Sequence, residues 1–324
     1  MNQKILILSQ AFLETTTDNV CQWLHYYQVP FQRINGEDFF EFTSLNALPQ
    51  NDTIGVVWYR RKLYSFPSKY SLKKEHAPTS YTVRRFLIDE FNGLHSLLFH
   101  TIDRHKWLND PFIEDSQNKL HVSMLAKEFG LQIPFTEVVT TKTAVVALLE
   151  RYPELIVKPM GECILVDDES GTKFKMLTEV INASNLNRMP DQFFPSMVQE
   201  KVEKKYEVRA FYLDGSFYSM AIFSQNNKKT KNDFRNYDDV RPNRTVPYQL
   251  PAIVEEKLRK VMQALHFKTG SIDLMVDRQG DYYFLEVNPE GQFGMVSFPC
   301  NYYLEKKMAT LLSKMYLHEE KIHQ

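Results

Sequence analysis

The residues with the clearest chemical potential lie within 269–297, TGSIDLMVDRQGDYYFLEVNPEGQFGMVS. Asp273 sits in an apolar run, 271–276, and Glu286 and Asn288 sit in or just after a second run, 282–287. Between them, 277–281 (DRQGD) carries turn chemistry. With Asp277 paired to Tyr282, an antiparallel hairpin sets Asp273 directly opposite Glu286, and opposed residues share a face. Glu286 and Asn288 are two apart, so they share that face as far as the strand persists. Two carboxylates and an amide oxygen then converge in an apolar setting, where unpaired charge is costly. Hard oxygen donors of this kind suit Mg2+ that is also bound to phosphates. A plain hairpin with solvated acids is the competing reading, and the apolar flanks argue against it.

Cations suited to phosphate lie elsewhere in the chain. Lys158 ends the apolar run LIVKP (155–159), and its ammonium can act as a point charge for phosphates. Lys119 opens a helix expected over 118–130. The segment MVQEKV (197–202) reads as a strand leading into a connection between two lobes. There Gln199, Glu200, Lys201 and Val202 are placed to offer an adenine edge donors and acceptors. Glu207 can accept from ribose hydroxyls. Arg209 follows it at strand spacing and shares its face, as a candidate to orient a carboxylate or a phosphoryl group. Arg235 lies in a polar loop, 224–244, where a guanidinium can clamp a transferring phosphoryl group. Neither GxxxxGK[ST] nor GxGxxG occurs, which disfavours P-loop and Rossmann nucleotide sites.

The elements that must position these residues follow from periodicity. Apolar runs at 4–8, 31–34 and 54–58, with a helix from 19 to 27 after the first, give a β-α-β order and a small open α/β domain. A long helix is expected over 79–108, ended by Asn109-Asp110-Pro111. Strands near 136–140, 155–159, 164–166 and 174–177, with helices at 118–130 and 143–151, make a small α+β module. From Met197 onward the chain reads mainly as strands, with Asp214-Gly215 as a hairpin turn. Helices at 252–265 and 302–316 flank the acidic hairpin. The expected division is 1–108, 109–197 and 198–324.

Composition sets the outer bounds. At 324 residues and 43% hydrophobic content, the chain can hold two or three subdomains with a sizeable core. Lys plus Arg (39) nearly cancels Asp plus Glu (40), so no global pull toward nucleic acid or anionic membrane arises. Three separated cysteines form neither a disulfide framework nor a CxxC pattern. No apolar run approaches membrane length, and a cytoplasmic protein is expected.

Taken together, these residues resemble the ATP-grasp superfamily over roughly 107–324. Asn118-Lys119 followed by Ile133-Pro134-Phe135-Thr136 is similar to the family's first lysine and its strand entry, and LIVKP to its second lysine. MVQEKV resembles the hinge, YEVRAF the ribose-side strand, NDFR the phosphate arginine, and Asp273, Glu286 and Asn288 the metal triad. One departure is a glycine-poor stretch, 160–171, where many members have a glycine-rich lid. The segments KILILSQ, TTTDNVCQWL, FQRIN, Tyr59-Arg60-Arg61, WLNDP and EVNPEGQF resemble graspetide synthetases, the microviridin-type and grasp-with-spasm peptide maturases.

That resemblance implies an N-terminal open α/β domain, a small central α+β lid domain and a C-terminal antiparallel-sheet domain. It also implies ATP and Mg2+, two ions, as cofactors, and activation of Asp or Glu side chains as acyl phosphates. Ester links to Ser or Thr, or amide links to Lys, in a precursor peptide with a leader segment would follow. A homodimer is expected, and the basic runs at 59–62 and Arg84-Arg85 are candidate peptide contacts. A RimK-like glutamate ligase is the alternative with the same ATP site.

Overall fold

The computed structural model describes residues 3–36, 38, 44–61, 81–161, 165–167, 173–175, 178–227, 229–231, 233–234, 238 and 240–322. Side chains are described throughout these except at 81–84, 165–167, 173–175 and 320–322. Strands β1 (Lys4–Ser9), β2 (Phe31–Asn35) and β3 (Ile54–Tyr59) form a parallel sheet in the order β2-β1-β3, with helix α1 (Thr15–Tyr26) between the first two. Helix α2 (Tyr81–Thr101) and the short α3 (Pro111–Asp115) follow. Next come α4 (Lys119–Glu128), β4 (Thr136–Thr141), α5 (Lys142–Leu149), β5 (Leu155–Lys158), β6 (Leu165–Asp167), β7 (Lys173–Lys175) and β8 (Glu179–Ile181). Strands β9 (Gln192–Glu200), β10 (Lys204–Leu213), β11 (Ser216–Phe223) and β12 (Arg244–Tyr248) lead to helix α6 (Ala252–Ala264). Strands β13 (Thr269–Asp277) and β14 (Tyr282–Asn288), then helices α7 (Gly294–Cys300) and α8 (Leu304–Ile322), complete the order.

Among the described residues two larger antiparallel sheets carry most of the remaining architecture, and β6 pairs with β7 in a separate two-stranded one. One of the larger two is four-stranded, β4-β9-β5-β8, and the other five-stranded, β12-β11-β10-β13-β14. The five-stranded sheet uses its two faces differently. On one face Val208, Ala210, Tyr212, Ile272, Leu274, Val276, Phe284 and Val287 pack on α4 and α6. On the other face β10 changes character along its length. Phe211 and Leu213 enter an apolar core with the N-terminal sheet and α8, whereas Glu207 and Arg209 lie among the buried charged residues. Strand period 2 puts all four on one side, so a single strand supplies both core and site.

The cores do not follow the division expected from chain order. Leu304, Met308, Leu312 and Tyr316 of α8 share a core with Ile5, Ile7, Val56 and Trp58 of the N-terminal sheet and with Val20 and Leu24 of α1. The last helix of the chain thus covers one face of the first sheet, and α2 covers the other through Phe91, Leu98 and Phe99. A parallel sheet needs both faces covered, and the near-continuous apolar β1 and β3 leave no solvated side.

Several boundaries differ from expectation for local reasons. Helix α2 stops at Thr101 instead of 108, because the chain turns to bring Trp107 alongside Val57, and the Leu108 N–H donates to the Val57 carbonyl at 2.9 Å. Helix α1 begins at Thr15, four residues before the expected start, with Glu14 at its N-cap. Strands β8 and β12 and helices α3 and α7 are short elements that periodicity did not single out. Among the described residues no helix is long and apolar enough to cross a membrane.

Gly291 illustrates a backbone constraint beside the site. Its φ is +55°, and a Cβ there would lie 2.9 Å from the Phe211 ring. Gly93, inside α2, has open space where its Cβ would be. Gly291→Ala is therefore expected to cost about 1–3 kcal/mol, and Gly93→Ala to gain about 1 kcal/mol. Urea unfolding of both variants checks this pair; a stabilised Gly291→Ala would contradict the backbone assignment.

Candidate active site

The acidic hairpin reaches its predicted pairing by a different register. Val276, not Asp277, opposes Tyr282, and Leu274 opposes Phe284. A bulge at Leu285 then shifts the ladder, so that Asp273 opposes Glu286 and Ser271 opposes Asn288. Simple alternation would put Phe284, Glu286 and Asn288 on one face. The extra residue lets Phe284 and Val287 face the core while Glu286 and Asn288 join Asp273 on the other side. Asp277, freed from pairing with Tyr282, closes the turn: its Oδ1 accepts from the N–H groups of Gln279, Gly280 and Asp281 at 2.9, 2.8 and 2.8 Å.

Cations from neighbouring elements meet these acids. Arg209 opposes Asp273 across β10 and β13, and its Nη1 donates to both carboxylate oxygens, at 2.8 and 3.0 Å. Both side chains are only 5% exposed, so the pair is buried. Among the described residues the Arg209 Nε has no hydrogen-bond partner. Lys119 reaches from the first turn of α4 to Glu286, with Nζ 3.3 Å from Oε2. A lysine at that end opposes the helix dipole, and the Glu286 carboxylate offsets this. Asn118 caps the same turn, accepting from the Leu120 and His121 N–H groups at 2.9 and 3.1 Å.

Asp273, Glu286, Asn288, Lys119, Lys158, Gln199, Lys201, Val202 and Glu207 all line one cleft of about 910 Å3. It runs between the five-stranded and four-stranded sheets. Alternation in β5 turns Ile156 and Lys158 to the cleft and buries Leu155 in the core of the small sheet. Gln199 donates to the Thr136 hydroxyl at 2.9 Å, and Lys201 pairs with Glu154 at 2.6 Å. Glu207 is buried, accepting from Lys204 and from the Ser224 hydroxyl. Burial pushes its carboxyl above the ordinary range, and the Lys204 ammonium opposes that rise.

Two expected residues are placed differently, and a third is not described. Glu200 is absent from the cleft lining; its Oε1 accepts from the Phe135 N–H at 2.8 Å and ties β9 to the entry of β4. Arg209 is paired beneath the acids and also absent from the lining. Arg235 lies outside the described residues, although Asp233 and Phe234 just before it line the cleft. The described part of the basic run, 59–61, is not an exposed patch. Tyr59 and Arg60 are buried, Arg61 pairs with Glu14 and Glu290, and Lys62 lies outside the described residues. Arg85 is exposed, 3.8 Å from Asp89, and the Arg84 side chain is outside the described set.

Sequence reasoning gave Gln10 no site role and took Arg61 only as a candidate peptide contact, yet both line the cleft from the N-terminal sheet. Both follow the C-terminal ends of adjacent parallel strands, β1 and β3. That position, where open parallel sheets place their ligands, was the signal available.

Among the described residues no group of three or more His, Cys, Asp and Glu is arranged to hold a metal alone. The set here is two carboxylates and one amide, which fits a hard cation whose remaining ligands are phosphate oxygens and water.

No protein-family model matches the chain, and no curated protein sequence does. Solved structures do. A macrocyclase, MdnC, bound with precursor peptide MdnA from Microcystis aeruginosa MRC superposes with a TM-score of 0.79 at 19% identity, covering 96% of this chain and 100% of that one. A RiPP-associated ATP-grasp ligase of Chryseobacterium gregarium, in complex with ADP and a leader and core peptide, gives 0.77 at 23% identity, with 97% of each chain covered. The ATP-grasp ligase PsnB, complexed with a minimal-precursor variant, Mg and ADP, gives 0.75 at 17% identity over 98% and 99%. The chain has the ATP-grasp ligase fold.

The Arg209–Asp273 pair yields a stability test. Removing one partner of a buried pair costs about 3–5 kcal/mol, whereas an apolar replacement of both is near neutral. Arg209→Met is expected to lose that amount in urea unfolding, and Arg209→Met with Asp273→Leu to regain most of it. A single variant as stable as the parent would contradict the buried pairing.

Proposed function

We propose that the protein is an ATP-dependent ligase that closes rings in a ribosomally made precursor peptide. Asp or Glu side chains of the peptide are activated, and Ser or Thr hydroxyls, or a Lys amine, capture them. The observation that carries this reading is the meeting of Asp273, Glu286 and Asn288 with Lys119 and Lys158 in one cleft of the ATP-grasp fold. The peptide as substrate is supported by the whole-chain likeness to ligases solved with precursor, leader and core peptides. A D-cycloserine synthetase shares the fold less closely, with a TM-score of 0.58 at 14% identity. The reading includes a cytoplasmic homodimer.

The chemistry follows from the weakness of a carboxylate as an electrophile. A peptide carboxylate oxygen attacks the γ-phosphorus of ATP, the bond to the β-γ bridging oxygen breaks, and ADP leaves. The resulting acyl phosphate is attacked by the acceptor oxygen or nitrogen, and phosphate departs with the carbonyl carbon's former oxygen. The acceptor proton is lost, so each ring removes one water from the peptide. Mg2+ held by Asp273, Glu286 and Asn288 would offset phosphate charge. Lys119 and Lys158 add fixed positive charge at the phosphates. Arg235 is proposed for the same task, and Arg209 for holding Asp273 in place beside the reacting groups. Gln199, Lys201 and Val202 are proposed to frame the base through the strand-to-strand connection, with Glu200 bracing that connection against Phe135, and Glu207 to accept from the ribose.

Incubation with ATP, Mg2+ and a short peptide rich in Thr, Ser, Glu and Asp encoded near this gene is expected to lower the peptide mass by one water per ring. Addition of glutamate units would raise the mass and favour the RimK-like alternative. Glu286→Gln is expected to abolish turnover with an unchanged circular dichroism spectrum. Retained turnover in that variant would refute the metal assignment.

A further inference from the structure

The segment that follows Asn288 is gripped from outside its own sheet. Arg60, at the end of β3, is 1% exposed, and its Nη1 donates to the Glu290 carbonyl at 2.9 Å. Arg61 beside it donates through Nη1 to the Glu290 carboxylate at 3.0 Å and through Nε to Glu14. Glu14, also buried, lies 3.6 Å from the Arg60 Nε and accepts from the Thr17 hydroxyl. The Arg60 guanidinium lies 6.0 and 5.8 Å from the ring centres of Trp58 and Phe293. Burial lowers its pKa to about 10, which still leaves it charged at neutral pH.

The gripped segment is short and leaves little slack. The Gly291 N–H donates to the backbone carbonyl and the side-chain Oδ1 of Asn288 at 3.1 and 3.3 Å. Gly291 abuts Phe211, and a Cβ on Gly294 would lie 2.8 Å from the Thr16 hydroxyl of α1. The segment 288–294 is therefore pressed between the five-stranded sheet and the start of α1. Two arginines and two carboxylates are a costly way to join two domains, because each buried charge loses hydration. Apolar packing does the same task elsewhere in this interface. The charged set differs in giving directional bonds to Glu290, two residues beyond a metal-ligating side chain.

We propose that Glu14, Arg60 and Arg61 are positioning residues that fix 288–291 and thereby set the aim of the Asn288 amide at the metal site. The proposal rests on the assignment of Asn288 to Mg2+. None of the three needs to touch the ion. They act as the outer hydrogen-bonding groups of a metal site act, by holding a ligand in its bonding geometry. Arg60 contributes the backbone restraint, and Arg61 links the Glu290 side chain to Glu14.

Binding measurements on the full-length protein separate this role from a merely structural one. Calorimetry gives ADP affinity in EDTA, and a Mg2+ titration of the ADP-saturated protein gives metal affinity. Arg61→Met is expected to weaken Mg2+ by about 10-fold or more, the range found when a group supporting a metal ligand is removed, a larger loss than any change in ADP affinity in EDTA. Arg61→Lys restores only part, since one ammonium replaces a planar fork that served two carboxylates. Arg60→Met is expected to act in the same direction, and Arg61, at 16% side-chain exposure, carries the test where Arg60→Met fails to fold. Unchanged Mg2+ affinity in a folded Arg61→Met protein, or equal losses with and without Mg2+, overturns the positioning role. Asn288→Ala is the reference: should it weaken Mg2+ while Arg61→Met does not, positioning alone fails. Should Asn288→Ala leave Mg2+ affinity intact, the metal assignment fails and the positioning role with it.

Discussion

Two carboxylates facing one another across a sheet are the constraint from which the rest of the site follows. Asp273 and Glu286 are directly opposed, and side chains so placed lie about 5 Å apart at Cβ. Like charges at that spacing repel, and in a half-buried setting the repulsion is poorly screened. The fold meets this with cations drawn from different elements, Arg209 from the adjacent strand and Lys119 from the first turn of a helix. Neither cation is near the acids in sequence. The sheet, the helix entry and the bulge at Leu285 have to form together for the charges to balance. A divalent ion with phosphate ligands suits the same geometry for the same electrostatic reason.

The cleft is assembled between layers and is not carried by one layer. The five-stranded sheet supplies acids from one face while its other face is packed on α4 and α6. The four-stranded sheet supplies Lys158 and Gln199 by period-2 alternation over its own small core. Residues 201–203 connect β9 to β10 and line the cleft between the two sheets. The N-terminal sheet contributes Gln10 and Arg61 from strand ends. Its attachment is secured by α8, which returns from the end of the chain to pack on β1, β3 and α1. Burying side chains of this size contributes roughly 1.5–3 kcal/mol each, so the N-terminal sheet and the C-terminal helix form one interdependent unit.

Much of this was readable from residue types and spacing. Apolar runs located β1, β3, β5, β13 and β14 to within a residue or two, because buried strands demand continuous apolar side chains. The Asp214-Gly215 turn has φ of 44° and 93°, the left-handed pair that such a dipeptide favours. The helix over 118–130 was located from the sequence, and the structure adds Asn118 as its cap. Harder to read were the features that depend on a distant partner. Glu200 has the right type and place for a nucleotide edge, yet its carboxylate is spent on the Phe135 N–H. Tyr59-Arg60-Arg61 reads as part of a basic run offered to a peptide, yet Glu14 and Glu290 draw both arginines inward.

The chain by itself determined the hard-oxygen residue types proposed to hold a metal, the strands that carry them and the lysines proposed to meet phosphate, since these rest on local periodicity and side-chain chemistry. Which face each acid occupies was decided by the tertiary structure, because a single bulged residue reverses alternation and nothing local in 282–288 distinguishes Leu285 from its neighbours. The pairing of Arg209 with Asp273, and the closure of the N-terminal sheet by the final helix, were decided there too. Both depend on partners tens to hundreds of residues away, whose proximity is set by the packing of sheets and helices and leaves no mark in any local window of sequence.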